Sequence, residues 1–211
     1  MIKIVVAYDD NDSALADYFE ESYKNILQSI QSTQETQTVV LRGLDCTEAN
    51  VNSAVVPLNA NPFLFIGFSH GDELGLCLLT DNDVFVSENN AMNFGNSFFY
   101  TTACNVASRL GITLLANNCR CFIGCEWSSL ATFDDFYDVY IDCENFALRE
   151  FLNTTKTIQQ TFDEMMLRFD GMIDKYSNDG EVLFAMELQN NKDCMILLGD
   201  GSFRKQDFHL N

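Results

Sequence analysis

The sequence predicts an α/β fold in which a mostly parallel, six-stranded sheet carries helices on both faces. Three observations lead there. Short apolar runs such as Ile2–Tyr8 and Pro62–Phe68 lack the polar alternation of a strand with one wet face, so they read as strands buried on both sides. These runs alternate with segments of helical periodicity, the pattern of a sheet covered on both faces. Finally, 211 residues with 47% hydrophobic side chains suffice for one large core, so a single domain over 1–211 is expected.

In chain order, Ile2-Lys3-Ile4-Val5-Val6-Ala7-Tyr8 is the first strand, stopped by Asp9-Asp10-Asn11-Asp12. Leu15, Tyr18, Phe19, Ile26, Leu27 and Ile30 recur at helical spacing. Thr38–Leu41 is a second strand, Glu48–Leu58 a short helix ending near Pro57, and Pro62–Phe68 the third strand. Leu74–Leu79 and Val84–Val86 flank Thr80-Asp81-Asn82-Asp83 and predict a small β-hairpin. Ser97–Ala103 is the next core strand, Leu110–Ala116 a helix, and Cys119–Cys125 the fifth strand. From Asp134 to Gln189 the apolar spacing is mainly helical, and Cys194–Leu198 closes the chain as a sixth strand before Gly199-Asp200-Gly201.

Composition narrows the function. Acids outnumber bases 31 to 12, for a formal charge of −19. Binding a polyanion needs a basic footprint that releases counterions, so nucleic acid is not an expected partner. Such a surface also repels anionic membranes; it is either a plain solvated, soluble surface, the preferred reading, or one that favours basic peptides through long-range attraction. Met1-Ile2-Lys3 runs straight into a strand with no charged n-region or cleavage site, and no apolar run reaches spanning length. Most of the eight cysteines sit inside apolar stretches, as reduced thiols of a cytoplasmic protein do.

In a parallel sheet, ligands bind beyond the carboxyl ends of the strands. The groups expected there are Asp9, Asp10, His70, Cys104, Glu126 and Asp200. His70 and Cys104 end consecutive core strands, so the hairpin between them does not prevent their meeting. A thiol with an imidazole beside it can be a nucleophile with its base. Each has a plainer alternative, a buried small residue for Cys104 and a hydrogen-bonded structural histidine for His70. With only two histidines in the chain, the joint placement favours catalysis. Gly71, lacking Cβ, admits close approach of a ligand to the backbone, or is simply a turn glycine. Cys119, Cys121 and Cys125 fall within one predicted strand without paired CxxC knuckles, so core packing is preferred to a metal site. No metal or cofactor is expected.

His-Gly after the third strand, Ala-Cys after the fourth, Phe122-Ile123-Gly124 before Trp127, and the closing Leu197-Leu198-Gly199-Asp200 together resemble the caspase-like cysteine peptidases. The nearest branches are the gingipain-like and CHAT groups, which also include separase. The resemblance implies a caspase-like three-layer sandwich with His70 as base or acid and Cys104 as nucleophile. It also implies an oxyanion hole formed by the amides of Gly71 and Cys104. A backbone carbonyl can orient the histidine in this family, and no Asp partner for it is evident.

Two positions depart from the pattern. Asn105 follows the cysteine where relatives carry small residues, and Thr102 replaces the acid that some use to hold a basic P1 side chain. For a basic P1 the acid must then come from a loop: Glu126, Asp134 and Asp135 are the candidates, with Trp127 as a pocket wall. The plain alternative is a solvated loop with a core-packing indole.

A polypeptide substrate follows, and by analogy a bacterial defence or cell-death setting. A gasdermin-like pore-former would be the target there and a regulatory partner protein the trigger. The rivals are a catalytically inactive caspase-like binding module, a receiver-like module read from Val5–Asp10, and a class I amidotransferase. The receiver lacks its aspartate after strand three and its lysine after strand five, and the amidotransferase elbow needs glycines absent around Cys104.

Overall fold

The computed structural model of the chain describes residues 1–33, 35–79 and 83–208. Three residues of the predicted hairpin turn, Thr80, Asp81 and Asn82, lie outside them, as does the second histidine, His209. The central sheet is built from β1 (Ile2–Tyr8), β2 (Thr36–Arg42), β3 (Phe63–Phe68), β7 (Ser97–Thr101), β8 (Cys121–Cys125) and β9 (Met195–Gly199). Their order is β2-β1-β3-β7-β8-β9, with every pair parallel except the last. A small antiparallel sheet of β4 (His70–Gly71), β5 (Gly75–Leu78) and β6 (Asp83–Ser87) follows β3, where the hairpin was expected.

The pleat divides the core. Ile4, Val6, Ile66, Phe68, Phe98, Tyr100 and Ile123 point into one apolar layer, whereas Val5, Ala7, Phe65, Phe99 and Phe122 point into the other. This period-two alternation within predominantly apolar strands explains the absence of a polar face in the sequence. The first layer is closed by α1 (Ala16–Ser32), α4 (Tyr137–Glu144), α5 (Phe146–Asn153), α6 (Ile158–Asn178) and α7 (Val182–Cys194). The second is closed by α2 (Glu48–Val55), α3 (Ile112–Ala116) and the small sheet. The result is the predicted three-layer arrangement.

Local chemistry sets the boundaries. Thr47 caps α2 by accepting the Asn50 amide at 3.2 Å, and the helix stops at Val55, short of the expected Leu58, because Pro57 cannot continue it. Thr157 and Gln160 form a reciprocal capping box that starts α6. The long helical stretch expected after Asp134 is thus four helices. The segment after Cys104 begins with a wide turn over Ala107–Gly111, in which the Gly111 amide reaches back to the Val106 carbonyl at 2.9 Å, before α3 proper.

Three expectations need correction. The strand expected over Ser97–Ala103 ends at Thr101, so Thr102 and Ala103 join Cys104 in the loop. Cys119 precedes β8 rather than lying in it. Asp200 is at the wrong edge: β9 runs antiparallel to β8, so its end meets the start of that strand, and the Asp200 amide donates to the Arg120 carbonyl at 2.8 Å. Among the described residues, no helix is long and apolar enough to cross a membrane.

Candidate active site

β1 lies between β2 and β3, the point where connections reverse direction across the sheet. Such a switch point opens a crevice beyond the carboxyl ends of the strands. There the Asp9 amide donates to the Phe68 carbonyl at 3.0 Å, tying the exits of β1 and β3 together. The register brings the next two exits level, since Gly67 of β3 pairs with Thr101 of β7. His70 and Cys104 each lie three residues beyond that pair, and both line one cavity of about 60 Å³.

Gly71 keeps these two exits in contact. A Cβ at Gly71 would sit 2.8 Å from a Val106 methyl, 2.9 Å from Ala103 Cβ and 3.1 Å from the Cys104 carbonyl oxygen. A bare backbone at this position therefore lets the His70–Gly71 strand pass against Ala103-Cys104. Asn105, which departs from the family pattern, has φ of 61°, in the left-handed region that asparagine tolerates better than most side chains. The chain thus turns sharply just after the thiol, and the Asn105 amide donates to the Trp127 carbonyl at 3.2 Å.

His70 is partly buried, with its ring edge-on to Phe19 at 5.3 Å. Its Nε2 is 3.3 Å from Asp12 Oδ2, close enough for a charge contact but not aligned as a hydrogen bond. Asp12 is fixed in turn, because its Oδ1 accepts the amides of Leu15 at 2.7 Å and Ala14 at 2.8 Å. Burial works to raise the Asp12 pKa, but those amides and the nearby imidazole outweigh it and hold the carboxyl below its usual range. Asp9, fully buried beside them with Oδ2 unpartnered among the described residues, is pushed up instead by desolvation. Asp10 is turned to Arg42 at 3.6 Å. A carboxylate therefore faces His70 where none was expected.

The Cys104 thiol donates to the Ser129 carbonyl at 3.6 Å. Burial raises its pKa above that of a free cysteine, so the resting group is a thiol and not a stored thiolate. Ser129 belongs to a loop held by two buried side chains. Asn191 of α7 accepts the Leu130 amide at 2.7 Å and donates to the Leu130 carbonyl at 2.6 Å. Glu144, at the end of α4 and lining the cavity, accepts from Tyr18 Oη at 2.6 Å, Asn191 Nδ2 at 3.0 Å and Ser129 Oγ at 3.2 Å.

Burial raises the Glu144 pKa to about 7, against the lowering effect of those three donors. A carboxyl whose folded pKa exceeds its unfolded value of 4.5 stabilises the fold most below pH 4.5, and that contribution is lost as pH rises towards 7. Glu144→Gln removes the titration. The stability difference between variant and parent is expected to move in favour of the variant by about 3 kcal/mol between pH 4.5 and 7. Urea unfolding of both proteins across that range measures it, and taking the difference cancels the groups they share. A difference independent of pH would mean that Glu144 titrates alike in the folded and unfolded protein.

The residues expected to hold substrate stand elsewhere. Glu126 and Trp127 are exposed beyond β8, and the indole Nε1 donates to Asn190 Oδ1 at 3.3 Å. Asp134 and Asp135 lie beside Phe133 and Phe136 in a separate surface depression. None of the four lines the cavity of Cys104. The groups not foreseen are Asp12, Glu144, Ser129 and Asn191. For Glu144 the sequence did contain a signal: it stands four residues after Tyr140 and four before Leu148, an acid on an otherwise apolar helical stripe.

A six-stranded, mostly parallel sheet between two helical layers, with a small hairpin sheet after the third strand, is the caspase-like architecture. Among solved structures the chain is similar to gingipain R, an Arg-specific cysteine proteinase, with a TM-score of 0.62 at 13% identity over 96% of this chain. It is similar also to the complex of the pro- and mature domains of RgpB from Porphyromonas gingivalis, with a TM-score of 0.60 at 12% identity over 95% of this chain. The chain spans about half the length of these proteins, 47% in each case. No family model and no curated protein matches the sequence.

Proposed function

We propose that the chain is a cysteine endopeptidase in which Cys104 is the nucleophile and His70 its general base. The observation that carries this reading is the common register of the two exits, three residues past Gly67–Thr101, on a shared cavity. The Sγ attacks the scissile carbonyl carbon while the imidazole takes the thiol proton and passes it to the leaving amine. Water then cleaves the thioester, with the imidazole as base. Because the resting thiol is protonated, deprotonation accompanies attack and Sγ must turn from Ser129 towards the ring. The amides of Gly71 and Cys104 are the proposed oxyanion donors.

Asp12 is the proposed positioning residue for His70 in place of a backbone carbonyl. Its carboxylate stabilises the imidazolium formed during attack and sets the orientation of the ring. Asp12→Asn keeps the Oδ1 acceptor of the turn and removes the charge. The expected result is a fall in kcat of about 10- to 100-fold with little change in KM, smaller than for an aligned triad because the contact lacks hydrogen-bond geometry. An unchanged kcat would remove Asp12 from the mechanism.

The substrate is a polypeptide, and the acidic surface, with its formal charge of −19, supports a basic residue at P1. Eight free thiols support a reducing, cytoplasmic setting. A defence or cell-death role of the CHAT type, with a gasdermin-like substrate and an activating partner protein, is carried by the family resemblance alone. Covalent capture tests the chemistry: a peptide acyloxymethyl ketone is expected to label Cys104 in the parent and much more slowly in His70→Ala. Equal labelling of the two, or of a buried cysteine instead, would refute the dyad.

A further inference from the structure

Positive charge is unevenly placed along the chain. No lysine or arginine stands between Arg42 and Arg109, a stretch that holds Asp45, Glu48, Asp72, Glu73, Asp83 and Glu88. That stretch folds as α2, β3, the small sheet and β7, so its exposed part is the outer surface of the second apolar layer. Arg109, the base that ends it, is committed to Glu88 by two hydrogen bonds at 2.6 and 3.1 Å. One face of the molecule is therefore acidic without interspersed bases, and its field draws cationic groups to that face in particular.

The same face carries an apolar depression of about 290 Å³. It is lined by Glu48 at the start of α2, by Leu74 and Val84 of the hairpin, and by Ser87, Glu88 and Asn89 where the hairpin ends. Leu74 and Val84 are 45% and 42% exposed, so both present aliphatic surface to water. The backbone under Leu74 is fixed by a turn in which Asp72 Oδ1 accepts the amides of Leu74 at 2.7 Å and Gly75 at 3.1 Å. None of the lining residues belongs to the cavity of Cys104. A preformed apolar recess with an acidic rim is complementary to an apolar anchor flanked by cations.

A second copy of the chain cannot supply that anchor well. It would bring another formal charge of −19. Its bases are also already partnered within the fold, most of them in ion pairs and Lys3, Arg120, Arg204 and Lys205 with neutral oxygens. We propose that the face formed by α2 and the small sheet is a docking surface for a different protein, which places there a basic segment with one large apolar residue. The apolar side chain fills the depression between Leu74 and Val84, and a lysine or arginine beside it meets Glu48. Docking of this kind does not depend on the cleavage chemistry proposed above.

Fluorescence anisotropy tests it with a labelled nonapeptide that has a central leucine, two lysines on each side of it and serines elsewhere. The peptide is titrated with Cys104→Ala protein at physiological ionic strength, so no turnover intervenes. Saturable binding with a Kd below about 1 mM is expected. Leu74→Ser/Val84→Ser, which leaves the core intact, is expected to weaken it at least about tenfold. Serine for leucine in the peptide does the same, and the two changes together weaken binding no more than either alone. Glu48→Lys is expected to weaken binding at least about fivefold, and Asp163→Lys on α6, the same change of net charge behind the other layer, by less than about twofold.

Equal losses in Glu48→Lys and Asp163→Lys would mean that the peptide reads only the overall charge. Full affinity in Leu74→Ser/Val84→Ser would place the peptide elsewhere. Either result, or the absence of saturable binding, overturns the proposal. Sedimentation of the protein alone covers the other occupant: self-association that Leu74→Ser/Val84→Ser abolishes would give the depression to a second copy instead.

Discussion

Cys104→Ala and His70→Ala are each expected to lower kcat for peptide cleavage by about 10⁴-fold or more, and the double variant by no more than either alone. The reason is that in the proposed mechanism the two groups perform one step. Without Sγ there is no acyl-enzyme, and the imidazole has no proton to take; without the imidazole the thiol stays protonated, since burial has raised its pKa. The protonated resting state makes this chain more dependent on its histidine than a peptidase that stores a thiolate–imidazolium pair. A dyad with a preformed thiolate would keep measurable alkylation after loss of the histidine, and this one is expected to lose it at neutral pH. Kinetics on a peptide library varied at P1, with KM and kcat resolved, provides the check. Additive losses in the double variant would mean that two independent steps are being damaged, and full activity in either single variant would end the assignment.

What was legible in the sequence follows from range of interaction. Buried strands announce themselves locally, because Ile2–Tyr8, Phe63–Phe68 and Cys121–Cys125 have no room for a polar face. The exits at His70 and Cys104 were legible for the same reason: an apolar run followed by a chemically competent side chain marks a strand end. The direction of β9 was not legible, since a five-residue apolar strand pairs either way, and what decides it is that α7 delivers the chain to the end of β8 at Cys125–Met195. That one reversal moved Asp200 to the opposite edge.

Asp12 looked like one more turn carboxylate in Asp9-Asp10-Asn11-Asp12. Only the switch point between β1 and β3 turns its Oδ2 to an imidazole 58 residues away in sequence, whereas Asp10 turns to Arg42. Glu144 was hidden in a different way: its partners come from α1, the loop after β8, and α7, so its environment depends on four separated segments. The loop candidates Glu126, Asp134 and Asp135 were nearer in sequence to Trp127, but nearness along a loop says nothing of which way it faces the cavity.

Phe99→Ala is expected to destabilise the fold by about 3–5 kcal/mol, the range for emptying a fully buried aromatic site. Phe99 is 0% exposed at the centre of β7, and its ring lies 4.7 Å from Phe65, 5.3 Å from Phe94 and 5.5 Å from Phe122. Removing it breaks three aromatic contacts at once, and the neighbours cannot collapse inwards because Phe65 and Phe122 are anchored on the flanking strands β3 and β8. Against a typical total of about 5–15 kcal/mol this is a large fraction, and the urea midpoint is expected to fall by about 1–2 M. Val39→Thr on the exposed edge strand β2 serves as the contrast and is expected to change stability by less than about 0.5 kcal/mol. Phe99 points into the layer away from Tyr18 and Glu144, so folded Phe99→Ala at low temperature is expected to label Cys104 at the parental rate. A midpoint within about 0.3 M of the parent would mean that the aromatic layer is not what holds β7 between β3 and β8. A full loss of labelling in the folded variant would mean instead that the strand transmits packing defects directly to the thiol.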